Sequence, residues 1–245
     1  AIGARRWAAL VGGWCFPNVG FLVAWLCFPL SSVAVWLPWT FWATTAFVQR
    51  PTGWAGPSLS VVLAILMVSG HLETAAHIML SAAFVGSWQW VANWVGAIRQ
   101  SNGLRTAGII LFIGLLAGGI GMVQVAPTLD YVRMSFRVRV RQETALERGY
   151  RGDQNARELA RLAFPYLLGT EQADSHAVGD TNFNEGGTNG YAGFTMLCML
   201  APIGILHGWR RSETWMWLAL GLLAAAPMFR LPILSWWDRV PALNM

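Results

Sequence analysis

Two histidines and a glutamate crowd into SGHLETAAHIML, residues 69–80, within a stretch that is otherwise apolar. An imidazole donates or accepts a hydrogen bond near neutral pH, and a carboxylate can orient it or serve as a base. Glu73 and His77 stand four apart and so share one face of a helix, while Gly70 is placed to end one helix and start a tight reversal. Three chemistries fit these residues. The turn can be a capped helix start, in which Glu73 favours the positive helix terminus and His77 satisfies it. It can be a polar site facing a substrate, since ionisable groups at a membrane boundary pair or face a cavity. Metal ligation is the third, and the six-residue separation of His71 and His77 counts against it, because the pair does not stack on one helical face.

The remaining candidate motifs are weaker. DTNFNEGG places Asp180, Asn182 and Asn184 at positions one, three and five of a calcium loop, but position six is Glu185 where glycine is needed and position twelve falls on Tyr191. A loop with Asx turns accounts for it better. Cys15, Cys27 and Cys198 lie in apolar runs without CxxC spacing and read as buried, reduced residues. No metal and no cofactor is expected. Tryptophan clusters such as Trp36, Trp39 and Trp42 read as interfacial belts and helix packing.

The elements that must position these residues follow from composition. Of 245 residues 55% are hydrophobic, 15 are Trp and only 12% are charged, which excludes an ordinary soluble globular domain. All 17 basic residues are Arg, spread among loops rather than gathered in one tract, which argues against nucleic acid as a partner. The first residue is Ala and no leader pattern follows it, so the chain reads as a processed or partial product. Apolar runs at about 8–28, 30–48, 54–70, 72–97, 104–126, 190–208 and 213–230 approach the roughly 17 to 25 residues of a membrane span. The expectation is an all-α, polytopic transmembrane helix bundle of about seven spans with one long external loop. Residues 1–126 would hold five spans, 127–189 the external segment, and 190–245 two spans and a tail. Pro17, Pro29 and Pro38 interrupt the first two runs, which leaves room there for a re-entrant or interfacial piece. With this division Arg5, Arg6, Arg50, Arg99, Arg105, Arg210 and Arg211 fall in short loops on one side, the cytoplasmic one by the positive-inside bias. The SGHLET turn and segment 127–189 then lie outside.

Inside the long segment Phe136, Val138 and Val140 alternate with arginines, which suits an extended strip. Asn155 and Glu158 resemble a capping box, and Leu159, Leu162 and Ala163 follow at helical spacing, so residues 155–168 are expected to form an amphipathic surface helix.

In order along the chain, Leu37-Pro38-Trp39, Ser69-Gly70-His71-Leu72-Glu73-Thr74, Gln124 to Pro127 with Ser135 and Arg137, Glu185 with Gly190-Tyr191, and the late Pro241 stretch resemble the bacterial YfhO-like membrane protein family of the GT-C glycosyltransferase class. The resemblance implies transfer of a sugar from a polyprenyl-phosphate carrier on the external face of the bacterial cytoplasmic membrane. It also implies an acidic residue in a first external loop, and nothing matching that loop precedes Trp7. This segment alone is therefore expected to be inactive, and a non-catalytic accessory subunit of a larger membrane complex is the alternative. A proton-coupled transporter is disfavoured, because the polar groups within spans, Gln89, Asn93 and Gln124, are uncharged. The drawn topology delivers His71, Glu73, Arg137, Glu185 and Tyr191 to one membrane face. There His71 and Arg137 would hold the phosphate of a lipid-linked sugar, and Glu73 would orient a histidine.

Overall fold

The structure, a computed structural model, describes residues 6–50, 53–97, 103–134, 162–164, 191 and 193–228. Every regular element among them is helical: α1 (Arg6–Cys15), a 3-10 turn (Phe16–Asn18), α2 (Gly20–Ala24), α3 (Pro29–Ala34), α4 (Leu37–Gln49), α5 (Ala55–Val68), α6 (Leu72–Ala97) and α7 (Gly103–Met134). A π-helical segment (Thr195–Leu200) then runs into α8 (Ala201–Gly208), and α9 (Ser212–Met228) follows. The chain divides into two compact units. The first is Phe28–Arg151, and the second joins Ile2–Cys27 to Gly152–Met245.

Proline decides where several of these helices begin. With its fixed φ and missing N–H it fits only the first turn comfortably. Pro17 opens the 3-10 turn, Pro29 opens α3 and Pro38 opens α4, so the apolar runs 8–28 and 30–48 break into short pieces. At about 1.5 Å per residue, helices of the length of α4 and α5 reach only about 20 Å, short of a hydrocarbon core of roughly 30 Å. α6 has 26 residues, but Glu73, His77 and Gln89 dilute its apolar character. Among the described residues one helix, Gly108–Tyr131 within α7, is long and apolar enough to cross a membrane. This corrects the expected bundle of about seven spans and removes the basis of the two-sided topology drawn from it.

Three further differences are local. α7 does not stop ahead of Pro127 but runs through it to Met134, and the Thr128 hydroxyl, one residue beyond the proline, donates to the Gln124 carbonyl at 2.7 Å. Of the expected surface helix 155–168 only residues 162–164 are described. Leu162 lies in a 3-10 turn and Phe164 in no helix, so α-helix does not run through this stretch. The extended strip from Phe136 and the capping box at Asn155 lie outside the described residues. Cys27 and Cys198 are exposed and Cys15 is half-buried, all three free, because the turn and the π-helical segment that carry the exposed pair leave them uncovered.

In the first unit, side-chain contacts fix the helix directions. Val33 of α3 meets Leu66 of α5, and Ala43 and Phe47 of α4 meet Leu59 and Val62, so α4 and α5 run antiparallel. Gly56 faces Ile109 and Ile113 of α7, and Met67 faces Gly121 eleven residues later on α5, so α5 and α7 run parallel. Gly86 of α6 lies against Thr44, and Gln89 hydrogen-bonds to Thr45, which sets α6 beside α4 in the same direction. The result is an up-down-up-down arrangement in chain order with apolar clusters at both ends of α5. Thr40 and Ser60 in this interior instead bond one turn back along the chain, Thr40 to the Trp36 carbonyl at 2.8 Å and Ser60 to the Gly56 carbonyl at 3.1 Å.

The second unit is described in two pieces that touch. The Gly20 N–H donates to the Tyr191 carbonyl at 2.8 Å, Cys15 Sγ lies 3.9 Å from Met196 Sδ, and the Phe164 and Phe194 rings stand 5.2 Å apart. A tight turn joins α8 to α9, held by the Arg211 N–H on the Gly208 carbonyl and by Trp215 Nε1 donating to the Trp209 carbonyl at 3.0 Å.

The close approach of α5 and α7 has a direct test. A Cβ at Gly121 would lie 3.1 Å from Met67 Cβ and nearer still to its thioether, whereas at Gly118 it would meet nothing within 4 Å. Gly118→Ala is expected to be neutral or stabilising by up to about 1 kcal/mol through helix propensity. Gly121→Val is expected to cost about 1–3 kcal/mol by overpacking. Denaturant unfolding in mild detergent, followed by circular dichroism, separates the two.

Candidate functional site

The SGHLET turn is a three-residue link between α5 and α6. α5 closes at Ser69, whose hydroxyl donates to the Ile65 carbonyl at 2.6 Å. Gly70 follows with φ +108°, a left-handed conformation that a side chain resists, so the expected reversal at this glycine is present. His71 then caps α6. Its carbonyl accepts the first intrahelical bond from the Ala75 N–H at 3.1 Å, and its Nδ1 accepts from the Thr74 N–H at 3.2 Å. The Thr74 hydroxyl stands 2.8 Å from the same nitrogen. Because a backbone N–H must donate, Nδ1 is the acceptor, the hydroxyl also donates to it, and the neutral ring carries its proton on Nε2. An imidazole thus takes the place usually held by Ser, Thr, Asp or Asn.

Glu73 is exposed in the first turn of α6, near the positive helix end, and His77 is exposed one turn further on. Among the described residues no hydrogen bond or ion pair joins them, and none joins Glu73 to His71. The group that orients the histidine is Thr74. Tyr191 is half-buried in the second unit, and Arg137 and Glu185 lie outside the described residues. The structure therefore brings His71 and Glu73 to one turn. Among the described residues no three His, Cys, Asp or Glu side chains gather in a metal-binding group.

Thr74 stood in the sequence motif without a role, and its position three residues after a helix-opening residue was the available signal. A second polar pair joins residues 44 apart, where local spacing gives no signal. Gln89, only 9% exposed, donates from Nε2 to Thr45 Oγ1 at 3.2 Å, and its Oε1 is buried without a partner. A buried acceptor left unmet costs about 1–3 kcal/mol.

No protein-family model, no curated protein and no solved structure matches this chain.

Removing the cap tests the assignment of His71. His71→Ala is expected to destabilise the start of α6 by about 0.5–2 kcal/mol, and His71→Asn to restore most of it. Amide hydrogen exchange at residues 72–76 reads both effects, and equal protection in His71→Ala and the unsubstituted chain would contradict the cap.

Proposed function

We propose that this chain is an integral membrane protein of the YfhO-like, GT-C type that holds a phosphate-bearing lipid, of the polyprenyl-phosphate-sugar class, without itself catalysing transfer. The observation that carries the membrane part is α7. From Ile110 to Val123 its large side chains are mostly exposed, among them Ile110, Leu111, Leu115 and Val123, while Ile113 and Ala117 turn inward to the first unit. Exposed apolar surface of that extent is stable in lipid and not in water.

The lipid class comes from the ordered motifs that resemble the family, with a bacterial cytoplasmic membrane as the corresponding location. The His71 ring is compatible with it, since a neutral imidazole presenting Nε2–H at a helix start can donate to a phosphate oxygen. The non-catalytic part is carried over from the resemblance, in which Glu73 is not the base. The reading as an accessory subunit shares the same support and differs only in what completes the site.

Two outcomes are expected. Leu115→Arg places a charge on the outward face of α7 and should disfavour insertion by about 3 kcal/mol in a glycosylation-mapping assay. Normal insertion would sink the membrane reading. In nanodiscs holding the full chain, His71→Asn, which keeps the cap, should weaken retention of a polyprenyl phosphate, as measured by native mass spectrometry. Unchanged retention in both His71→Asn and His71→Ala would overturn the lipid-phosphate assignment and leave the membrane assignment standing.

A further inference from the structure

We infer that α1 is a second membrane contact, a helix that lies flat in the headgroup region of an anionic bilayer with Trp7, Leu10, Val11 and Trp14 directed into the acyl chains. The inference rests on the membrane reading above and concerns a different unit of the chain.

The four residues recur at intervals of three, one and three, which places them on one face of a helix. They are 79%, 63%, 50% and 79% exposed, and α1 has no buried residue at all. Between them the helix offers only Ala8, Ala9, Gly12 and Gly13, and a Cβ at either glycine would meet nothing within 4 Å. The contact that α1 makes is at its end, where Cys15 Sγ lies 3.9 Å from Met196 Sδ, so the bulky stripe is surface that the described part of the second unit leaves uncovered.

Chemistry selects the occupant. Tryptophan stands at both ends of the stripe, and an indole prefers the boundary between headgroup and acyl chain, where its ring is apolar and its N–H is met. Trp7 and Trp14 are separated by about 10 Å along the axis, so both reach that level together only if the helix lies parallel to the surface. The helix opens on exposed Arg6, preceded in sequence by Arg5, and its far end is closed by Asn18, whose Nδ2 donates to the Trp14 carbonyl at 2.8 Å. The first acidic residue of the whole chain is Glu73, so the first 72 residues carry three arginines and no carboxylate. A positively charged, carboxylate-free helix start beside a Trp-edged apolar face complements anionic lipid phosphates rather than a protein surface, which would be expected to meet Arg5 and Arg6 with acidic partners of its own. α1 differs in this from α7, where apolar side chains surround the helix.

The test uses the full chain with Cys15, Cys27 and Cys198 changed to Ala and one new cysteine, at Leu10 or at Ala9 on the other face, carrying an environment-sensitive fluorophore. The protein is reconstituted in phosphatidylcholine vesicles with and without phosphatidylglycerol. A label at position 10 is expected to shift to the blue, to be quenched by doxyl groups placed high on the acyl chain, and to resist iodide in the water. A label at position 9 is expected to do the reverse. The contrast should grow with phosphatidylglycerol and shrink with added salt. Changing Trp7 and Trp14 together to Ser should abolish doxyl quenching at position 10 while α7 keeps the chain in the vesicle. Iodide quenching at position 10 overturns the inference, and so does shielding from both quenchers, which would mean that protein covers the face. Equal, deep quenching at both positions would show a helix immersed all round and also overturns it. A chain that does not enter vesicles at all fails the membrane reading and this inference together, whereas a chain that enters with position 10 in water fails this inference alone.

Discussion

The first unit depends on how closely α5 and α7 approach. Gly56 lets Ile109 and Ile113 come down onto the start of α5, and Gly121 gives Met67 room at its other end. A side chain at Gly121 would have to displace Met67, whereas a methyl at Gly56 would sit in ordinary contact with Ile109 and Ile113. The parallel seam between them buries Leu59, Val62 and Ile113 together with Ala43 and Phe47 of α4. The antiparallel α4 then presents Thr44 and Thr45 to Gly86 and Gln89 of α6. One face of α7 is used in this way, through Ile113, Ala117 and Gly121, and the rest stays outside. Small residues at a helix seam with large apolar residues outward is the pattern that lipid favours, because lipid supplies no hydrophobic drive between helices and close van der Waals contact must take its place.

Reach along the helix axis decides the rest. A hydrocarbon core of roughly 30 Å asks about 20 residues of uninterrupted helix. α7 alone among the described helices meets both length and apolarity. The 14-residue α5 lies alongside it as an apolar companion, and its hairpin to α6 sets His71 at the junction. In the second unit the π-helical segment and α8 make an apolar stretch of 14 residues, Thr195–Gly208, also shorter than a span.

Sequence alone was enough to read the helical class, the start of α6 and the reversal at Gly70. The glycine stood between two apolar runs, and its left-handed φ is the conformation that such a reversal requires. The number of spans was misread because a hydropathy window registers how apolar a run is, not whether one helix carries it. The run 30–48 is apolar throughout, yet Val35 and Trp36 turn between α3 and α4, and Pro38 starts the second of them. The error at the far end of α7 is the converse. Pro127 lies just past the apolar run 104–126, yet α7 continues through it, since a helix that is otherwise well supported absorbs one lost hydrogen bond. At the site, Glu73 was given the role of orienting a histidine because opposite charge is the obvious partner. Thr74 holds it instead, since the cap geometry brings the third residue of the helix, not the second, back to Nδ1. The Gln89–Thr45 contact depends on the register of α4 against α6, which tertiary packing alone sets.

The central claim is that α7 crosses a bilayer with the first unit packed against one of its faces. It is tested most directly by labelling the two ends of that helix from one side of a sealed vesicle. With the native cysteines removed, single cysteines replace Gly103 and Met134, about 45 Å apart along the helix and so beyond both edges of the hydrocarbon. A membrane-impermeant maleimide added outside is expected to label one of the two in a given orientation, and the other only after the vesicle is opened. Labelling of both from outside, in vesicles of uniform protein orientation, would contradict the account.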